Sequence, residues 1–165
     1  MAGVPKGTVA LEHRTMVEAT LDDGQRLVAL NEVFIGHRSH QSARYRIVVT
    51  GEDERQSSSG LIVSTGTGAT GWARSINLSR GNVLVPPAPE DKRLAYFVRE
   101  AFPSVATGTN VTFGVIEPEN VLTVISEMNE GGVVFGDGIE EDHLEIAWGQ
   151  TVRVGASSSS LSMAR

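Results

Sequence analysis

Ser59-Gly60-Leu61-Ile62-Val63-Ser64-Thr65-Gly66-Thr67-Gly68-Ala69-Thr70-Gly71-Trp72 is the stretch on which the fold turns. Gly60 to Thr65 is a short apolar run, the pattern of a buried strand. Gly66, Gly68 and Gly71 then make a turn, and Trp72 to Asn77 reads as a short helix leaving it. Gly66-x-Gly68-x-x-Gly71 matches the dinucleotide fingerprint literally. Missing side chains let backbone N–H groups approach a phosphate, and a helix N-terminus favours an anion. Two observations oppose a Rossmann unit. The helix has only about two turns before Gly81, whereas a parallel crossover needs roughly a dozen residues or more. No acidic residue closes a second strand at the usual ~20-residue interval, since Glu90 and Asp91 lie beyond Pro86, Pro87 and Pro89. The alternatives are a bare strand-to-helix turn and a ligand-contacting turn in a different fold.

Outward from this point the chain reads as strands and turns. Met16 to Leu21 and Arg26 to Gly36 flank the turn Asp22-Asp23-Gly24-Gln25, so they read as a hairpin with a long second strand. Ala43 to Thr50 is a further strand, and the polar Gly51 to Ser59 reads as a loop in which Glu52, Asp53 and Glu54 are solvated. Val83 to Pro87 is expected to be a strand; Leu94 to Glu100 fits strand or helix. Val111–Ile116, Val121–Ser126, Val133–Phe135, Leu144–Trp148, Thr151–Val154 and Leu161–Met163 are short strand candidates separated by Gly, Asn, Asp or Pro. Many short strands without long amphipathic helices predict a mainly β, sandwich-like domain with one or two short helices.

The 165 residues suffice for one domain with a real core. Apolar residues make up 40% and charged residues 21%, ordinary globular values. No apolar run approaches the ~20 residues of a membrane span, and Met1 to Lys6 is not an apolar targeting segment. A soluble cytoplasmic protein without membrane contact is therefore expected. With no cysteine, disulfides, thiolate catalysis and Cys-ligated zinc are excluded. The net charge of −6 and dispersed arginines oppose nucleic acid as partner, while leaving room for a small anion in a locally positive pocket.

Asn31-Glu32 interrupts the apolar run Leu27 to Ile35. A buried amide and carboxylate need partners. A ribose diol would suit them, since Glu accepts from hydroxyls and Asn both donates and accepts; a strand end at a sheet edge is the alternative. Asp137-Gly138 reads as a hairpin turn. His37 and His40 are too few ligands for a metal and read as a solvated loop, and His13 and His143 have no visible partners. No nucleophile–base–orienter set and no metal site can be assigned.

Taken together, three motifs resemble the NAD kinase family. Ala29-Leu30-Asn31-Glu32-Val33 is similar to its Asn-Glu strand motif. Ser59 to Thr70 is similar to its most distinctive stretch, usually Asp-Gly-Leu-Ile-Val-Ser-Thr-Pro-Thr-Gly-Ser-Thr, and Gly136-Asp137-Gly138 resembles its later Asp-Gly motif. The likeness runs from about Ala10 to Leu161. Val98-Arg99-Glu100-Ala101-Phe102-Pro103 also resembles a stretch of the family's divergent branch annotated for sugars.

The resemblance implies a β-rich C-terminal domain, here residues 1–165, that binds the dinucleotide and makes homo-oligomer contacts. The family's N-terminal Gly-Gly-Asp-Gly motif, whose aspartate is thought to activate the adenosine 2′-hydroxyl, does not occur in this sequence. ATP-dependent 2′-phosphorylation of NAD, with Mg and ATP, would belong to a complete enzyme. This chain is expected to bind NAD or a similar adenine dinucleotide without kinase activity of its own, or to act as a non-catalytic sensing or oligomerisation module. Carried over, Asn31 and Glu32 would contact the adenosine ribose and neighbouring phosphate. Thr70 and Gly71 would meet the adenine edge, Trp72 would stack on a ring, and Ser75 would contact the ligand. Ser59 stands where the family has an aspartate at the nicotinamide end. Gly66 replaces a proline, which leaves the loop less pre-organised.

Overall fold

The computed structural model describes residues 10–164. Met1 to Lys6, read above as no targeting segment, lies outside the described residues. In chain order the strands are β1 (Leu11–Leu21), β2 (Arg26–Ala29), β3 (Glu32–His37), β4 (Ala43–Val49), β5 (Glu52–Ser58) and β6 (Gly60–Ser64). A 3-10 turn (Gly68–Thr70) leads into helix α1 (Trp72–Ser79). There follow β7 (Leu94–Arg99), β8 (Phe113–Ile116), β9 (Leu122–Ser126), β10 (Gly132–Gly136), β11 (His143–Ile146) and β12 (Thr151–Ala164). They form two six-stranded antiparallel sheets, ordered β2-β1-β12-β9-β4-β5 and β11-β10-β3-β6-β7-β8. The mainly β, sandwich-like expectation agrees with this, and α1 is the short helix it allowed for.

Side chains alternate across each strand, so each sheet gives one set of residues to the core between the sheets. Val17, Ala19, Tyr45, Ile47, Leu122, Val124, Val152 and Val154 come from the first sheet; Val33, Ile35, Leu61, Val63, Tyr96, Val98 and Val134 come from the second. The second sheet is apolar on its outer face too. Phe34, Ile62, Val133 and Phe135 project there under Trp72 and Ile76 of α1, and Ala95 and Phe97 lie under Ala73 and Leu84. Burial on both faces is why β3, β6 and β7 read as unbroken apolar runs.

Several boundaries differ from the sequence reading. Arg26 to Gly36 is not one strand: it breaks at Leu30–Asn31, so that β2 and β3 belong to different sheets. Gly51 to Ser59 is not a loop, because Glu52–Ser58 forms edge strand β5 on β4, with Gln56 and Ser58 buried. Asp53 there pairs with Arg46, and Glu54 accepts from the backbone N–H groups of Asn110 and Val111 rather than being merely solvated. Val83 to Pro87 pairs with no strand among the described residues. Leu94–Arg99 is strand, resolving that ambiguity. Thr151–Val154 and Leu161–Met163 are parts of one long β12 against β1, with an irregularity opposite Met16. His13 also has a partner, its Nδ1 lying 3.0 Å from Ser162 Oγ.

Candidate functional site

The break at Leu30–Asn31 is held from two directions. On one side Thr65, just past the end of β6, donates its hydroxyl to Leu30 O at 2.6 Å and its backbone N–H to Asn31 O at 2.9 Å. The same hydroxyl oxygen accepts from the Gly68 N–H at 3.2 Å, which folds the glycine turn down onto the break. On the other side Asp137 projects its carboxylate from the β10–β11 turn. Oδ1 accepts from Asn31 N at 2.6 Å and Glu32 N at 3.3 Å, and Oδ2 accepts from Leu30 N at 2.9 Å. Both Asp137 (φ 53°) and Gly138 (φ 72°) have positive φ, so the hairpin turn read from the sequence is there. Its second role as a clamp was not read.

Contact between break and turn leaves no room for a side chain at residue 68. A Cβ on Gly68 would lie 2.1 Å from Asn31 O, and one on Gly66 would lie 2.0 Å from Ala88 O. These glycines are required by close backbone approach.

With the backbone so occupied, the side chains of Asn31 and Glu32 are left over. Both are half-buried. Every hydrogen bond at Asn31 among the described residues runs through its backbone. Burial, and secondly the charge of Asp137, push the Glu32 carboxyl above its ordinary value, and no hydrogen bond offsets them. Such a carboxylate gains from any hydroxyl that donates to it.

Glu32 and Phe34 lie two residues apart and so share the outer face of the second sheet. Phe34 is the floor of a cleft of about 710 Å³ lined also by His37, Arg38, His40, Ser59, Trp72, Arg99, Phe135 and His143. The Phe34 ring stacks on Trp72 (centroids 5.9 Å apart, planes 13°) and on Phe135 (4.8 Å, 29°). The Arg99 guanidinium sits 5.2 Å from the Trp72 centroid. Asn77 fixes the helix that carries Trp72, its amide donating to Leu84 O at 2.9 Å. Beyond α1, Arg80 donates to Thr112 O and Val98 O.

The expected site residues therefore fall into groups. The Asn31 carbonyl packs against Gly68 of the glycine turn, and Glu32 follows it in sequence. Ser59 and Trp72 line the aromatic cleft. Thr70 lines a smaller cleft of about 490 Å³ with Arg74, Leu84 and Val85. Asn31, Glu32, Gly71 and Ser75 line neither cleft, and Ser75 is exposed on α1. His37 and His40, read as a solvated loop, line the aromatic cleft, as does His143. No group of three or more His, Asp or Glu able to hold a metal occurs among the described residues. Sequence reasoning missed Phe34, Arg99 and Phe135, whose apolar or strand-end positions look like core until α1 is seen to leave one flank of them open.

No protein-family profile matches the sequence, and no curated protein matches it. Solved structures do. The chain superposes on the crystal structure of yeast NADH kinase complexed with NADH with a TM-score of 0.71 at 18% identity, over 94% of this chain and 44% of that one. It superposes on an NAD kinase from Archaeoglobus fulgidus in complex with ATP with a TM-score of 0.68 at 21% identity, over 94% of this chain and 55% of that one. The chain has the fold of part of an NAD(H) kinase. It spans about half the length of the kinases it matches. This NAD kinase-like fold is the β-rich architecture that the three motifs imply, and no helix among the described residues is long and apolar enough to cross a membrane.

Proposed function

We propose that this chain is the dinucleotide-binding, C-terminal part of an NAD kinase-like protein, with residues 1–165 as one domain. In this reading the ribose of an adenosine is held at Asn31 and Glu32, beside the Gly66–Gly71 turn. The observation that carries it is the pair of half-buried, uncommitted polar side chains at the break, set rigidly against a glycine turn by Thr65 and Asp137. A vicinal diol donates to the Glu32 carboxylate and exchanges hydrogen bonds with the Asn31 amide. Thr70, Gly71 and Ser75 border the adenine, while Trp72 and Ser59 lie toward the other end of the ligand. The likeness to structures solved with NADH and with ATP supports the ligand class.

Phosphoryl transfer from ATP to the 2′-hydroxyl needs metal-neutralised phosphates and a base. We assign ATP, Mg and the base to a complete enzyme and expect no transfer from this chain alone. The same reading carries a cytoplasmic setting, a place in NADP formation and self-association.

Isothermal calorimetry with NAD, NADH, NADP and ATP tests it. Dinucleotide binding by the chain, weakened at least tenfold in Asn31→Ala and in Glu32→Gln while circular dichroism stays unchanged, is the expected result. Absence of heat with every nucleotide at millimolar concentration contradicts the reading. Binding accompanied by NADP formation would show that the chain is itself a kinase.

A further inference from the structure

The Glu54 carboxylate, on edge strand β5, accepts from four donors. They are the Asn110 backbone N–H at 3.0 Å, the Asn110 amide at 3.1 Å, the Val111 N–H at 3.2 Å and the Gln56 amide at 2.6 Å. A Cβ on Gly108 would lie 2.3 Å from the same carboxylate, so the chain passes it at backbone contact. Burial by itself would raise this carboxyl; the donors outweigh burial and hold it below its ordinary value.

These contacts fasten the segment between β7 and β8, residues 100–112, along β5. The Phe102 N–H donates to Ser57 O at 2.8 Å and the Gly108 N–H to Arg55 O at 3.0 Å. Both feet of the segment stand on the second sheet, where the Ser59 N–H donates to Arg99 O and the Val98 N–H to Thr112 O. Between the feet it reaches across to the first sheet, and its Val111 is buried in the core between the two.

Alternate residues of an antiparallel strand turn their backbone groups to opposite sides. Arg55 and Ser57 therefore present theirs to the side of β5 that has no neighbouring strand. An uncovered edge of this kind is a template for another strand, and one run antiparallel to its own copy about a two-fold axis is self-complementary. We infer that residues 100–112, latched by Glu54, form a strap that closes the β5 edge against strand addition by a second copy of this chain. The strap is thus an interaction surface held shut, and it stands independently of the nucleotide reading.

The test compares the wild type with Glu54→Ala and with Gly108→Ala. The second variant keeps the carboxylate and drives a methyl against it. Amide hydrogen exchange is read at Phe102 and Asn110, and sedimentation velocity is run over a range of concentrations. In both variants exchange is expected to be about tenfold faster, with species larger than those of the wild type growing in as concentration rises. Adding Ser57→Pro to Glu54→Ala removes an N–H from the outward side of β5 and no bond to β4. It is expected to return sedimentation to the wild-type profile while exchange stays fast. Unchanged exchange in both variants would show that Glu54 is no latch. Fast exchange without larger species, or larger species that persist with Ser57→Pro, would overturn the claim that the strap shields the edge from a second copy.

Discussion

The Asp137 carboxylate accepts a hydrogen bond from the backbone nitrogen of Asn31 at 2.6 Å, joining a hairpin turn near the end of the chain to the break between β2 and β3. Through it the turn holds the backbone that carries the two polar side chains on which the proposed ligand contact depends.

Replacing Asp137 is therefore expected to damage both stability and binding. The Ala variant leaves the N–H groups of Leu30, Asn31 and Glu32 without their acceptor. The Asn variant turns an NH2 toward one of them. Each should lose about 2–4 kcal/mol in urea denaturation. Unchanged midpoints would show that the clamp is incidental.

Gly68→Ala drives a Cβ against the Asn31 carbonyl, a backbone atom that cannot swing aside. A loss of about 1–3 kcal/mol is expected, with nucleotide affinity falling further because the turn must lift off the break. Thermal melts alongside calorimetry check this; wild-type values for both would mean that the two segments are not held in contact.

Glu32 ties pH to stability with a definite sign. Its carboxyl is raised above 4.5 by burial and by Asp137. The folded chain thus holds the proton more tightly than the unfolded chain, so this group favours folding at low pH. That contribution is lost as pH rises from the ordinary value through the raised one. Above the window the ionised group is a net cost, so Glu32→Gln should be more stable than wild type at pH 7 and bind nucleotide more weakly. The stability difference should shrink below the window. A Gln variant less stable at pH 7 would reverse the sign and remove the premise of an uncommitted carboxylate.

Trp72 should report on the cleft. The chain has two tryptophans, and Trp148 is 55% exposed. In Trp148→Phe, emission from Trp72 should be quenched by NADH with the affinity that calorimetry gives. Trp72→Ala should cost about 2–3 kcal/mol through lost stacking on Phe34, and a double-mutant cycle with Arg99→Ala should return about 0.5–1 kcal/mol of coupling. Zero coupling would show the guanidinium–ring contact to be energetically empty.

The legible and illegible parts of the chain divide along physical lines. Gly60–Ser64, the glycine turn and α1 were readable because local chemistry decides them: a buried strand, close-approach glycines and a short amphipathic run. Asn31-Glu32 stood out because polar groups in an apolar run need a reason. The break at Leu30–Asn31 was legible only as the strand-end alternative for Asn31-Glu32, since neither Gly nor Pro marks it and its cause is the distant Asp137 carboxylate. β5 was hidden because an edge strand can carry Glu52, Asp53 and Arg55 toward water while burying only Gln56 and Ser58. Val83 to Pro87 has strand-like residues and no partner strand among the described residues. The aromatic cleft escaped notice because Phe34 and Phe135 are core-like in sequence, and only the placement of α1 leaves a flank open beside them.

Mapping the ligand on the backbone decides whether the break and the glycine turn form a nucleotide site. Amide shifts of uniformly nitrogen-15-labelled chain during titration with NADH should move at residues 30–32, 65–72 and 137, and at Phe34 and Arg99, leaving β4, β5 and β9 in place. Shifts confined to other surfaces, or none at saturating NADH, would contradict a nucleotide seated between Asn31 and Gly71.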